Sequence, residues 1–144
     1  MRIKRAGYSI DFPSEFFYWL QQLVDSRPGS FNSVSDGLVI NLRSGYTEGE
    51  SPFHPIEIAF SSDGDELVIS YFSSFVFVGH TYYDQELVVD FDLSLYRNSF
   101  QGCWLQPPIP ISEYDKPLTD LFIQNTITYH NMGVFTDISY STLF

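Results

Sequence analysis

The sequence predicts an α+β fold, a mostly antiparallel sheet of about five or six strands with one or two packed helices. Three observations predict it. Apolar residues recur at helical spacing from Phe16 to Val24. Apolar and polar residues alternate from Ile56 to Tyr71 and again from Leu87 to Leu95, which is the period of a strand. The chain is also rich in aromatic residues, 14 Phe and 10 Tyr, which favour sheets.

Taken in order, Arg2 to Ile10 carries Ile3, Tyr8 and Ile10 among polar residues and reads as a first strand or an extended arm. Asp11 is placed to cap a helix whose first turn holds Pro13, Ser14 and Glu15. Phe16, Phe17, Leu20, Leu23 and Val24 then form one apolar helical face, and Arg27, Pro28 and Gly29 end it. Leu38 to Leu42 reads as a strand and Ser44 to Pro52 as a loop. Ile56, Ile58 and Phe60, the Asp63-Gly64 turn, and Leu67, Ile69 and Tyr71 make a hairpin. Phe75 to Val78, apolar on both sides, reads as a further, buried strand, and Leu87, Val89, Phe91, Leu93 and Leu95 as the next inward row. Pro107, Pro108 and Pro110 restrict residues 97–112 to a surface loop or a sheet edge. Residues 116–132 are ambiguous: Lys116-Pro117 with Leu118, Leu121 and Phe122 suit a helix, whereas Thr126 to Tyr129 suit a strand. Val134 to Phe144 reads as the last strand. No repeat or linker divides the 144 residues, so residues 1–144 are expected to form a single domain.

The formal net charge is −11. Arg2, Lys4 and Arg5 supply three of the seven basic residues, and from residue 6 onward four basic residues stand against 18 acidic ones, a net charge of −14. Such a body repels nucleic acid and anionic membranes and attracts a cationic protein. Cys103 is the single cysteine, so no intrachain disulfide forms. The amino terminus lacks the apolar run of a signal peptide and no stretch reaches the ~20 apolar residues of a membrane helix, so the expected location is the cytoplasm.

Recognisable catalytic apparatus is not expected. Cys103 lies between Gly102 and Trp104, a setting typical of a packed core thiol. No G-x-S-x-G elbow and no glycine loop followed by lysine occurs. His54, His80 and His130 are too dispersed to pair as zinc ligands, so no metal and no cofactor is expected.

The distinctive feature is the row Asp84, Glu86, Asp90 and Asp92, at even positions, against Leu87, Val89, Phe91 and Leu93 at odd ones. In one regular strand all four carboxylates share a face, with successive same-face residues about 7 Å apart, close to the spacing of phosphates along a nucleic acid. Such a row either forms the wet side of an amphipathic strand or occupies a cationic cleft in place of its polyanionic ligand. A hard cation on Asp90 and Asp92 is a third reading, weakened because a straight strand holds them too far apart to share one ion. Tyr82, Tyr83 and Tyr96, beside these carboxylates, suit a protein-binding hot spot.

With its opening MRIKRAGYSIDFPSEFFYWL, the carboxylate row in YYDQELVVDFD and no active site, this small acidic chain resembles the immunity proteins that bacteria make against their own contact-dependent growth-inhibition and related polymorphic toxins. The resemblance implies a non-enzymatic protein that binds and neutralises a cognate cationic toxin domain, such as a basic nuclease, without touching nucleic acid or membrane itself. Its interface would be Asp84, Glu86, Asp90 and Asp92 with Tyr82, Tyr83 and Tyr96. The alternative is a small-ligand-binding or enzymatic α+β domain with an aromatic pocket near His80, Cys103 and Trp104.

Overall fold

The computed structural model describes residues 1–44, 54–79 and 86–144. The helical spacing after Pro13 builds α1 (Ser14–Asp25), which buries Phe16, Phe17, Trp19, Leu20, Leu23 and Val24. Pro13 itself, in extended conformation, is the N-cap and no side chain caps the helix, so the expected Asp11 cap is not made. The Asp11 carbonyl instead accepts a hydrogen bond from Lys116 Nζ at 2.9 Å. Arg27 closes the other end by donating to the carbonyls of Val24 and Phe31, both at 2.8 Å.

The strands are β1 (Arg2–Ile3), β2 (Leu38–Arg43), β3 (Ile56–Asp63), β4 (Glu66–Val78), β5 (Glu86–Ser94), β6 (Ser99–Gln101), β7 (Ile109–Pro110) and β8 (Asp137–Ser141). They lie in the order β7-β6-β5-β4-β3-β2-β8, every neighbour antiparallel, while β1 runs parallel beside the start of β4. The predicted α+β architecture is present. β1, within the expected first strand or arm, and β6 and β7, within the expected loop or sheet edge, are only two or three residues long, too short for alternation to set their bounds. Phe75 to Val78 is not a separate buried strand but the continuation of β4, with Phe77 exposed.

Two bulges decide which side chains face where. On β4 the register against β3 shifts between Ala59 and Phe60, so that Ser70 is left unpaired. The slip turns Tyr71 away from the side of Leu67 and Ile69 and brings Phe72 into the core. The Ser70 carbonyl accepts hydrogen bonds from the N–H groups of Leu95 and Tyr96, which pins the exit of β5. On β5 a second slip falls between the pairs Ser73–Asp92 and Phe75–Val89. Two residues, Asp90 and Phe91, therefore oppose Ser74 alone. Phe91 and Leu93 point into the core as expected, but Leu87 and Val89 are rotated outward and are 36% and 37% exposed.

The ambiguous segment is a helix, α2 (Lys116–Asn131). Its buried side is Thr119, Ile123, Thr126 and Ile127, while Leu118 and Leu121 are exposed. The β-branched residues are accommodated because they face the core, where packing outweighs their weak helix preference. A 3₁₀ turn, Glu113–Asp115, leads into it, with the Asp115 carboxylate accepting the Ser112 N–H at 2.8 Å.

Both helices pack on one face of the sheet. Phe16 of α1 meets Phe72 of β4 at 5.5 Å between ring centres. Phe122 of α2 stacks on Phe91 of β5 at 4.2 Å, and Phe91 also meets the edge of Phe100 on β6 at 5.5 Å.

Between the middle of α1 and the last turn of α2, Trp19 Nε1 donates to His130 Nδ1 at 3.0 Å, which requires an unprotonated Nδ1. Burial pushes the His130 pKa down from its ordinary 6.5. A histidine that resists protonation in the fold contributes stability fully present above pH 6.5, diminishing as pH falls from there through the lowered native value. Denaturant unfolding at pH 7.5 and 5.0 should therefore show a larger acid loss for the wild type than for His130→Phe. An equal loss would mean that the imidazole is not kept neutral.

Candidate protein-binding face

The sheet face opposite the helices carries a slot built by three strands. Register places Glu57 of β3, Ser73 of β4 and Asp92 of β5 in one cross-strand row, with Ala59, Tyr71 and Ser94 in the next. Two strand spacings of about 4.8 Å separate the Cα atoms of Glu57 and Asp92 by roughly 10 Å. Phe75 and Val89 close one end, Tyr71 and Tyr96 the other, and the whole encloses about 310 Å³. Serines form the floor, both deeply buried.

Both carboxylates are held. Tyr71 donates its hydroxyl to Glu57 Oε2 at 3.0 Å, and Ser73 donates to Asp92 Oδ1 at 2.5 Å. Burial, then the negative charge of Glu57, pushes the Tyr71 phenol far above its ordinary pKa, so it remains a donor at any physiological pH. Tyr96 lies 6.3 Å from Tyr71 and is 60% exposed, with the Arg97 guanidinium 5.1 Å from its ring centre.

Neither Glu57 nor Asp92 meets a lysine or arginine. Among the described residues Lys116 pairs with Asp120 at 2.9 Å, and no other lysine or arginine makes an ion pair. The segments 45–53 and 80–85 contain neither residue type. Ser94 Oγ, on the slot floor, also has no hydrogen-bond partner among the described residues.

The expected four-carboxylate row does not stand as one array. Glu86 pairs with Val78, which has the parity of Phe72 and the helix-covered face, whereas Asp92 pairs with Ser73 on the opposite one. The β5 bulge is the cause, because one extra residue reverses the alternation. Asp90, at the bulge, is half-buried: its Oδ1 accepts the Trp104 backbone N–H at 3.0 Å, and its Oδ2 lies 3.7 Å from His54 Nδ1. Asp84, Tyr82 and Tyr83 lie outside the described residues, as does His80. Of the predicted interface, Asp92 and Tyr96 come together at the slot and Asp90 sits beside them on β5.

Glu57, Tyr71, Ser73, Phe75, Val89 and Ser94 are the members that sequence reasoning missed. Alternation from the Asp63-Gly64 turn places Tyr71 with Leu67 and Ile69, so only knowledge of the Ser70 bulge would have moved it outward. Cys103 and Trp104 occupy the β6–β7 connection and do not line the slot. The described residues contain no group of three metal-ligating side chains, and no described helix is long and apolar enough to cross a membrane.

Comparison with solved structures finds the same fold in two proteins of Vibrio cholerae. One is the hypothetical protein VC0508 from the VSP-II pathogenicity island, 22% identical with a TM-score of 0.78, covering 96% of this chain and 100% of its own. The other is the conserved hypothetical protein VC1805 from pathogenicity island VPI-2 of strain O1 biovar eltor, which is described as sharing structural homology with the human P32 protein. It is 24% identical with a TM-score of 0.75, covering 94% of this chain and 98% of its own. No curated protein matches. The family described as "Protein of unknown function (DUF2787)" matches residues 14–141, nearly the whole chain from α1 to the end of β8, and the chain belongs to that family.

Proposed function

We propose that this protein is a non-enzymatic inhibitor that binds a cationic protein domain, in the manner of an immunity protein against a basic toxin such as a nuclease. The observation that carries the reading is the helix-free sheet face, where Glu57 and Asp92 have no lysine or arginine partner within the chain and stand among aromatic side chains. The net charge of −11 acts in the same direction at long range, steering a basic partner toward the molecule. Around the slot, Phe77, Leu87 and Val89 on the strands and Trp104 and Leu105 beyond them are exposed apolar groups that a partner can cover. The acidic contribution is now centred on Asp90, Asp92 and Glu57, with Glu86 turned to the other face.

The test is to identify any basic domain encoded beside this chain, and to titrate it calorimetrically while following that domain's activity. A one-to-one complex that silences the domain and weakens as salt rises is expected. Asp90→Lys with Asp92→Lys should weaken it about 30-fold, the lower end of what losing a desolvated charge pair costs. Unchanged affinity in that double variant would sink the proposed surface, and failure to bind the neighbouring domain would sink the function.

A further inference from the structure

The slot has more structure than general attraction of positive charge requires. Its two carboxylates flank it from opposite sides, and among the described residues only one oxygen of each is engaged. Its floor holds a serine, Ser94, that is 2% exposed and whose hydroxyl has no partner among the described residues. A buried hydroxyl left unpaired is unfavourable, and one that lines a cavity is satisfied when a ligand brings a hydrogen-bond partner. The end wall is a tilted pair of tyrosine rings, Tyr71 and Tyr96, 53° apart. At about 310 Å³ the space lies at the bottom of the range for ligand pockets, the scale of one long side chain rather than of a cofactor.

Resting on the preceding reading, we propose that this slot is the seat of a single arginine side chain of the cationic partner. The occupant must present several N–H donors at once, to Glu57, to Asp92 and to Ser94 Oγ, and must be flat enough to lie against tyrosine. A guanidinium has five donors in one plane and stacks on aromatic rings. A lysine ammonium offers three donors from one point and is more strongly hydrated, and a quaternary ammonium offers none. Arg97, whose guanidinium lies over the Tyr96 ring without an ion pair among the described residues, already makes the same stacking contact at the lip of the slot.

The full chain should be titrated with N-acetyl-arginine amide and followed by NMR at Ser94, Tyr71 and Tyr96. Saturable shifts at these residues with a dissociation constant of about 1 mM are expected for one anchored side chain. The lysine analogue should bind about tenfold more weakly, and the citrulline analogue, isosteric but uncharged, should give no shifts there. Glu57→Gln and Ser94→Ala, both conservative in shape, should each weaken the arginine probe, the former about tenfold. Equal binding of the citrulline analogue, or arginine shifts unaltered by Glu57→Gln, overturns the proposal. The same two variants measured against the basic toxin domain separate the two claims. A domain that binds wild type and both variants alike leaves the function standing and removes the slot as its anchor. An arginine probe that binds while no basic domain does removes the function and retains the slot.

Discussion

Replacing Phe91 by alanine is expected to lower stability by about 3–5 kcal/mol, the range for deleting a fully packed aromatic ring. Phe91 is 2% exposed and its ring lies within 3° of parallel to Phe122, with Phe100 and Phe72 presenting their edges at 5.5 and 6.3 Å. It thus joins β5 to α2 and to the β6 edge at once. For a domain of this size a loss of that order lowers Tm by roughly 6–20 °C, at about 2–4 °C per kcal/mol. Thermal unfolding checks it, with Phe91→Leu as the companion that keeps most of the volume and should lose far less. If Phe91→Ala lost under 1 kcal/mol, the ring would not be the bridge described here.

Gly37→Ala should be the other severe change, costing about 3 kcal/mol from a single added methyl group. Gly37 stands at φ +78°, where an alanine is strained, and its added carbon would fall 2.6 Å from Leu143 Cβ and 2.7 Å from the Phe60 carbonyl oxygen. The Phe60 oxygen belongs to β3 and cannot retreat without breaking the sheet. Leu143 is held in place because its N–H and that of Phe144 both donate to the Asp36 carbonyl, at 3.1 and 3.2 Å. The tail after β8 is therefore clamped over the turn that opens β2. Gly64→Ala is the control: its φ is +60° but nothing lies within 4 Å of the added carbon. It should lose only the backbone contribution, about 1 kcal/mol. Similar losses from the two substitutions in denaturant unfolding would show that the clamp contributes nothing.

Much of the scaffold was legible because its elements are long and periodic. Phe16 to Val24 could hardly be other than one helical face, and the Asp63-Gly64 hairpin follows from turn chemistry and alternation. α2 is ambiguous in the sequence because Thr126, Ile127 and Thr128 prefer strands locally, and only the core that buries Thr126 and Ile127 decides for a helix. The site was less legible for one reason, that side-chain period gives the facing of a strand only while the count is unbroken. One unpaired residue at Ser70 brings Tyr71 into the slot, and one extra residue on β5 separates Glu86 from Asp92. Neither bulge carries a glycine or proline to announce it. Asp92 and Tyr96 stand out in the sequence and lie at the slot, whereas alternation gives Glu57 and Ser94 their face but not the cross-strand neighbours that the bulges set.

The sheet ends on one side in β7, whose second residue is Pro110. A proline there has no hydrogen to offer an approaching strand, and Pro107 and Pro108 just before it leave the neighbouring rim equally short of donors. A further strand is thereby discouraged from zipping onto this rim, even at high concentration. Any pairing through backbone groups is left to the opposite rim, β8, which contains no proline.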